Sequence, residues 1–318
     1  MKVLFLVQKE QRIILDQLYD AIAQHCEMDI RWLSSNEQAN LRKYFKEHVN
    51  TENYDRIMLF LRFKKEIRQV SFIKTIPNLV ILEHDAYQNY VDCKYQGKFS
   101  KYYQQLPWAR ILISGATVSR RLQSEGFDAV FVPKGYDQQL LHNLEVPRDI
   151  ELGFVGSTKS ATYSQRKAFL EQLAEQENLL ITRTKSGDEY LQTLNRIRFF
   201  VSADIGMGEN MIKNFEAMAC GCVLFAYDQG QEENEALGFE SMHNIVLYKN
   251  IDDFKEKLSQ LRVNEELAAH IARNGQKLAE DRYTFVQLGE TVVSALREPL
   301  RPQPAPSVFQ QWRNRLGL

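Results

Sequence analysis

Cysteine is scarce in this chain: four in 318 residues, Cys26, Cys93, Cys220 and Cys222, with no C-x-x-C pair among them. That spacing excludes a disulfide framework and a zinc ribbon, and it fits a reducing compartment. An excess of either charge is also missing, since 40 Lys+Arg against 41 Asp+Glu leave a net charge of −1. A general nucleic-acid binder needs a strong basic excess, so no nucleic-acid partner is expected. No apolar run approaches the length of about twenty residues that a membrane span requires. The opening run Met1 to Val7 is closed off by Gln8, Lys9 and Glu10 and is too short for a signal peptide. The expectation is a cytoplasmic protein whose nearest approach to a membrane is peripheral contact with its inner face. No carboxylate cluster suggests a metal, and no cofactor is expected.

What is present is the composition of a soluble globular protein, 44% apolar and 25% charged, in a chain long enough for two domains. Short apolar runs at 2–7, 29–33, 56–63, 79–82, 110–114 and 129–132 read as buried parallel strands. Helical spacing falls between them at 13–22, 39–49, 65–74 and 118–125. After two proline turns, Val132-Pro133-Lys134-Gly135 and Val146-Pro147, the alternation restarts. Further strands are expected at 152–157, 179–183, 197–203, 223–227 and 244–248, with helices at 165–175, 252–260 and 265–281. The fold class is therefore α/β, two Rossmann-like doubly wound parallel-sheet domains, at 1–147 and 148–297. The remainder, 298–318, reads as a proline-rich linker and a short amphipathic helix carrying Val308, Phe309, Trp312 and Leu316, with docking back on the first domain as its expected role.

Ligands in such sheets sit beyond the carboxyl ends of the strands, and three strand ends are unusual. The stretch 205–222 reads IGMGENMIKNFEAMACGC. Gly206 and Gly208 make a turn, and a helix then opens, so backbone N–H groups and a positive dipole end face one spot, as an anion site requires. Met211, Ile212, Phe215, Met218, Ala219 and Cys222 form a core stripe, while Lys213 and Glu216 lie opposite beside the small residues Ala217 and Cys220. Two readings of Glu216 are open at this level, a ligand contact or an i,i+3 surface pair with Lys213. At the second strand end, Gly156-Ser157 lets a ligand approach the backbone. At the third, His84-Asp85 reads as a general base, an acceptor-binding pair or a loop cap. In the first domain, basic and aromatic residues interleave at 62–68 and 94–103. Such surfaces suit a phosphorylated or lipid-linked saccharide at an anionic membrane, and equally suit solvated lysines over partly buried rings.

Five blocks of this pattern resemble the GT-B glycosyltransferases, particularly bacterial families 1 and 4. They are GFVGS at 153–157, NFEAMACG at 214–221, NIVLYKNIDDFKEKL at 244–258, IARNGQKLAEDRYTF at 271–285 and the VPKGYD turn at 132–137. The resemblance implies a donor-binding second domain and an acceptor-binding first domain across a cleft. It implies that Glu216 hydrogen-bonds the donor ribose, that Asn210, Met211 and Ile212 offer N–H groups to the diphosphate, and that Lys213 adds charge nearby. Family 4 enzymes carry another glutamate eight positions before Glu216 to reach the donor sugar. That position is Gly208 here, with Glu209 one residue late, which leaves the sugar contact of Glu209 open. Of the cations that would stabilise the leaving phosphate, Arg166 is the candidate, with Lys159 and Arg183 behind it.

The implied activity is transfer of a sugar from a nucleotide-sugar donor to a saccharide or glycolipid acceptor, in surface polysaccharide or glycolipid synthesis and without a metal. The family 4 likeness favours retention. Inversion would need a base, for which His84 or Asp85 is placed. A nucleotide-sugar epimerase of the same fold and a non-catalytic nucleotide-binding scaffold are the alternatives.

Overall fold

In the computed structural model, residues 1–9, 15–159 and 163–304 are described. Six strands form the first sheet: β1 (Lys2–Gln8), β2 (Glu27–Leu33), β3 (Arg56–Phe60), β4 (Leu79–Glu83), β5 (Arg110–Ile113) and β6 (Asp128–Phe131). All pair in parallel, in the order β2-β1-β3-β4-β5-β6. The second sheet, also parallel, has β7 (Ile150–Val155), β8 (Leu179–Thr182), β9 (Ile197–Ser202), β10 (Val223–Tyr227) and β11 (Val246–Tyr248) in the order β11-β10-β9-β7-β8. Each expected strand is found; central ones such as β1 are apolar on both faces and covered on both, as Val3 to Val7 show, whereas the edge strands β2 and β8 are partly exposed.

The helices of the first lobe are α1 (Asp16–Ala23), α2 (Ser35–Ala39), α3 (Leu41–His48), α4 (Phe63–Glu66), α5 (Val70–Ile73), α6 (Lys98–Tyr103) and α7 (Ala116–Ser124). Those that follow are α8 (Ser164–Ala174), α9 (Asp188–Arg196), α10 (Ile212–Ala219), α11 (Gln231–Ala236), α12 (Ile251–Val263), α13 (Glu265–Arg282) and α14 (Phe285–Arg297). The helix expected at 39–49 is two, because Ser34 and Glu37 form a capping box that starts α2 early and Asn40 then interrupts it. The one expected at 65–74 is likewise split into α4 and α5. Ile13 and Ile14, and the tail helix with Val308, Phe309, Trp312 and Leu316, lie outside the described residues.

The placement of α14 differs from the expected division at residue 297. Phe285, Leu288, Val292, Val293 and Leu296 of α14 share a core with Val3, Phe5 and Val7 of β1 and Leu18 and Ile22 of α1. Burying each such side chain contributes about 1.5–3 kcal/mol, so this apolar face holds α14 to the first sheet rather than the second. Two chain segments therefore join the lobes, and they pair: Tyr136 N–H donates to Tyr283 O at 2.9 Å and Phe285 N–H to Tyr136 O at 3.0 Å. Gly135 makes the approach possible, since a Cβ there would stand 2.1 Å from Tyr283 O. Beyond α14, the guanidinium of Arg110 donates to the carbonyls of Ala295, Glu298 and Pro299 at 2.7, 3.1 and 2.9 Å, which ties the start of the proline-rich segment to the first lobe. Among the described residues no helix is long and apolar enough to cross a membrane.

Candidate active site

A cleft of about 290 Å³ opens in the second lobe. Its walls are the ends of three adjacent strands: Val155, Gly156 and Ser157 after β7, Arg183 to Gly187 after β8, and Ile212, Lys213 and Glu216 beyond β9. The interdomain turn closes one side with Asp137, Leu140 and Leu141. This is the crevice that the topology predicts for a ligand.

Glu216 is 6% exposed, and its Oε2 accepts a hydrogen bond from the Tyr190 hydroxyl at 2.5 Å. Lys213 does not form a surface pair with it; the ammonium lies over the Tyr190 ring, 4.9 Å from the centroid. Burial pushes the Glu216 carboxyl up, opposed by the Lys213 charge and the Tyr190 hydrogen bond. Burial pushes the Lys213 ammonium down, with Glu216 opposing it and Arg166 and Arg183 adding to it. A carboxylate and an ammonium are thus kept at the edge of a cleft at some desolvation cost, an arrangement more usual for a functional site than for a solvated helix face. The small residues Ala217 and Cys220 have their own explanation: α10 is buried all round, with α13 packed against it.

The loop before α10 spends most of its backbone donors within the protein, although Asn210 Nδ2 is buried without a partner among the described residues. Gly208, at φ +71°, donates its N–H to Gln229 Oε1 at 2.9 Å, and a Cβ there would meet open space. Asn210 N–H donates to Glu233 Oε1 at 3.4 Å, and Met211 N–H to Asp204 Oδ2 at 3.3 Å. Two of the three N–H groups expected to serve a diphosphate are therefore satisfied by carboxylates, as buried donors must be. Ile212 begins α10 and lines the cleft.

Glu209 turns away from the cleft wall. It is fully buried against the first lobe, where Lys134 Nζ donates to Oε1 at 2.6 Å and Ser114 Oγ to Oε2 at 3.2 Å. Burial raises its carboxyl and Lys134 opposes that. Arg166 is 5% exposed, paired with Asp204, donating to Ser157 O at 3.2 Å and stacked 4.0 Å from the Tyr163 centroid. It braces the Gly156-Ser157 turn from behind rather than lining the cleft. Arg183 is exposed and does line it. His84 and Asp85 stand at the end of β4 in the first lobe: the His84 ring packs edge-on against Phe60 at 5.0 Å, and Asp85 N–H donates to Glu83 Oε1 at 2.7 Å. His84 shares a small gap between the lobes with Lys134 and Ile212.

Three residues that matter here, Tyr190, Asp204 and Glu233, carry no role in the sequence pattern, and a fourth, Lys134, appears there only as part of a turn. Tyr190 sits on α9, a helix that the sequence pattern does not single out although Asp188 and Glu189 open it and Arg196 closes it, and Asp204 is a single acid after β9. Glu233, fully buried on α11, accepts N–H groups from Thr117 of the first lobe at 3.1 Å and from Asn210. Its carboxyl is pushed up to about 7, chiefly by burial. Lys134 did carry a signal, since it lies inside the VPKGYD turn.

Residues 138–294 match the family model of a glycosyl transferase-like domain. No curated protein sequence matches the chain. Among solved structures, HepE of Anabaena in complex with UDP and glucose superposes with a TM-score of 0.68 at 15% identity, over 94% of this chain and 100% of that one. Sucrose-phosphate synthase of Thermosynechococcus elongatus gives 0.67 at 10% identity, over 93% and 98%. The DNA-modifying β-glucosyltransferase, an enzyme of phage T4, gives 0.57 at 13% identity, over 94% and 100%. Identities this low speak to the fold, which is that of GT-B glycosyltransferases.

Proposed function

We propose that this glycosyl transferase-like chain of GT-B fold moves a sugar from a nucleoside diphosphate sugar, bound in the second-lobe cleft, to a saccharide or lipid-linked saccharide held by the first lobe. The observation that carries the reading is Glu216, a buried carboxylate on the cleft wall with a cation beside it and one oxygen already engaged. It would accept the ribose hydroxyls, while Lys213 and the N-terminal turn of α10 face the diphosphate. When the sugar–phosphate bond breaks, the departing diphosphate gains negative charge. Cations placed there beforehand stabilise that state more than the bound donor, which is how they raise the rate. With Lys213, Arg183 and Lys185 at the cleft, the reaction is read as running on protein charges without a resident metal.

The sugar would extend past Gly208, where the backbone leaves open space, towards the first lobe. Retention accords with the family 4 pattern around Glu216; for inversion, Asp85 or His84 would serve as base. The acceptor reading is supported by how 62–68 and 94–103 meet. Phe63 stacks on Phe99 at 3.7 Å, Lys94 and Lys98 lie over Tyr95 at 4.9 and 5.8 Å, and Glu66 turns inward at 2% exposure. A basic, aromatic-backed face of this kind suits an anionic acceptor or the inner surface of a membrane. The four free cysteines accord with a cytoplasmic enzyme.

HepE and the phage enzyme were solved with uridine nucleotides or their glucose conjugate, so a uridine donor is the first to test. Thermal unfolding with UDP-, GDP- and dTDP-sugars should show a raised Tm with at least one. No rise with any of them would sink the donor-site reading. The anomeric configuration of a transferred sugar would then separate retention from inversion.

A further inference from the structure

Tyr190 is the residue on which the Glu216 and Lys213 arrangement converges. It enters the cleft wall from α9, whose Leu191 and Leu194 are buried in the same core as Phe200 and Phe215, so the ring is fixed by packing. Its hydroxyl donates to Glu216 Oε2 at 2.5 Å, and its face carries the Lys213 ammonium at 4.9 Å. Glu216 Oε1 has no hydrogen-bond partner among the described residues, and Glu216 lines the cleft. We propose that Tyr190 is a positioning residue for donor binding: its hydroxyl holds one oxygen of Glu216 so that the other is presented to the nucleotide ribose, while its ring seats the Lys213 ammonium towards the diphosphate.

The chemistry of a phenol suits the task. A carboxylate next to a packed tyrosine hydroxyl receives a short charge-assisted hydrogen bond, which favours its ionised form and fixes its rotamer. The phenol cannot reverse that role, because burial first, and then the Glu216 charge, hold its proton well above the ordinary tyrosine range. It therefore keeps its proton at every working pH and is available to donate to Glu216 whenever that group is ionised. The groups that face Glu216 are Lys213 and Cys220 of α10, Tyr190 of α9, Asp137 of the interdomain turn, and Arg183 and Lys185 of the loop after β8. Of these, only Tyr190 is hydrogen-bonded to the Glu216 carboxylate within the described residues.

The inference rests on the donor-site reading, and the test keeps the two apart. UDP, or whichever nucleotide raises the Tm, is titrated calorimetrically between pH 5.5 and 8 into the wild type, Tyr190→Phe, Glu216→Gln and the double variant. If the wild type binds no nucleotide, the donor-site reading itself fails. If it binds, Tyr190→Phe, which keeps the ring and the packing, is expected to bind about tenfold more weakly at neutral pH, the worth of one hydrogen bond to a charged group. Its affinity should also fall off at a higher pH than in the wild type, because Glu216 has lost the donor that favoured its charge. On a Glu216→Gln background the same change should add little, since the two residues act as one unit. An unchanged affinity and acid limb in Tyr190→Phe would overturn the proposal. So would an equal loss with and without Glu216, which is what a merely structural tyrosine gives; that comparison also decides the matter if the single variant is partly unfolded.

Discussion

Lys134 Nζ lies 2.6 Å from Glu209 Oε1, and the pair joins the two lobes with side chains 7% and 0% exposed. Lys134 belongs to the turn that leaves the first sheet, whereas Glu209 belongs to the glycine loop that precedes α10. The loop beside the second-lobe cleft is thus anchored to the opposite lobe.

The first prediction concerns that anchor. Lys134→Ala leaves the Glu209 carboxylate buried without its cation, and removing one partner of a buried pair costs about 3–5 kcal/mol. Replacing both, as Lys134→Met with Glu209→Leu, should recover much of the loss, because neither charge then has to be desolvated. Urea unfolding of the three proteins measures both effects. A cost below about 1 kcal/mol for Lys134→Ala would match an exposed pair and contradict the burial seen here.

A second prediction concerns the ribose. If Glu216 reads the ribose hydroxyls, the wild type should bind UDP at least about tenfold more tightly than 2′-deoxy-UDP, since a carboxylate left without its expected donor loses a charge-assisted hydrogen bond. Glu216→Ala should bind both weakly and alike. Equal affinity of the wild type for the two nucleotides would remove the 2′-hydroxyl from the contact.

The third is a pH dependence. Glu233 is pushed up to about 7 from 4.5, and Glu66, buried against Tyr102, is also pushed up to about 7. Between those limits the folded protein holds a proton on each group that the unfolded chain has released. The stability they contribute is fully present below pH 4.5 and is lost as the pH rises through 7. Each group accounts for a decline of about 3 kcal/mol across the window at most. Glu233→Gln stays neutral and keeps an acceptor for Thr117, so its stability should change less between pH 5 and 7.5. Unfolding curves at several pH values that run parallel for the two proteins would show that Glu233 titrates normally.

The residues that could be read in the sequence and those that could not differ in a consistent way. Most of the described strands were legible because runs such as 79–82 and 110–113 are apolar on both faces, a pattern local to each segment. The cleft wall at Gly156, Lys213 and Glu216 was legible because glycine turns after strands and the NFEAMACG block are local too. Arg166 looks like any surface cation in sequence; that Asp204 takes its charge depends on residues 38 positions apart. The same holds for α14, whose apolar face fits either sheet until packing against α1 and β1 decides it.

By itself, the sequence determined the strand–helix alternation, the parallel sheets and the glycine turn that leads into α10, since each follows from the spacing of neighbouring residues. Tertiary structure decided the charges. Glu209 is bound to the first lobe by Lys134 and Ser114, Glu233 bridges Thr117 and Asn210, and Glu216 is held by Tyr190 with one oxygen left over. A carboxylate's role depends on which donors surround it and how far water is excluded. Those donors come from segments that meet only when the chain has folded.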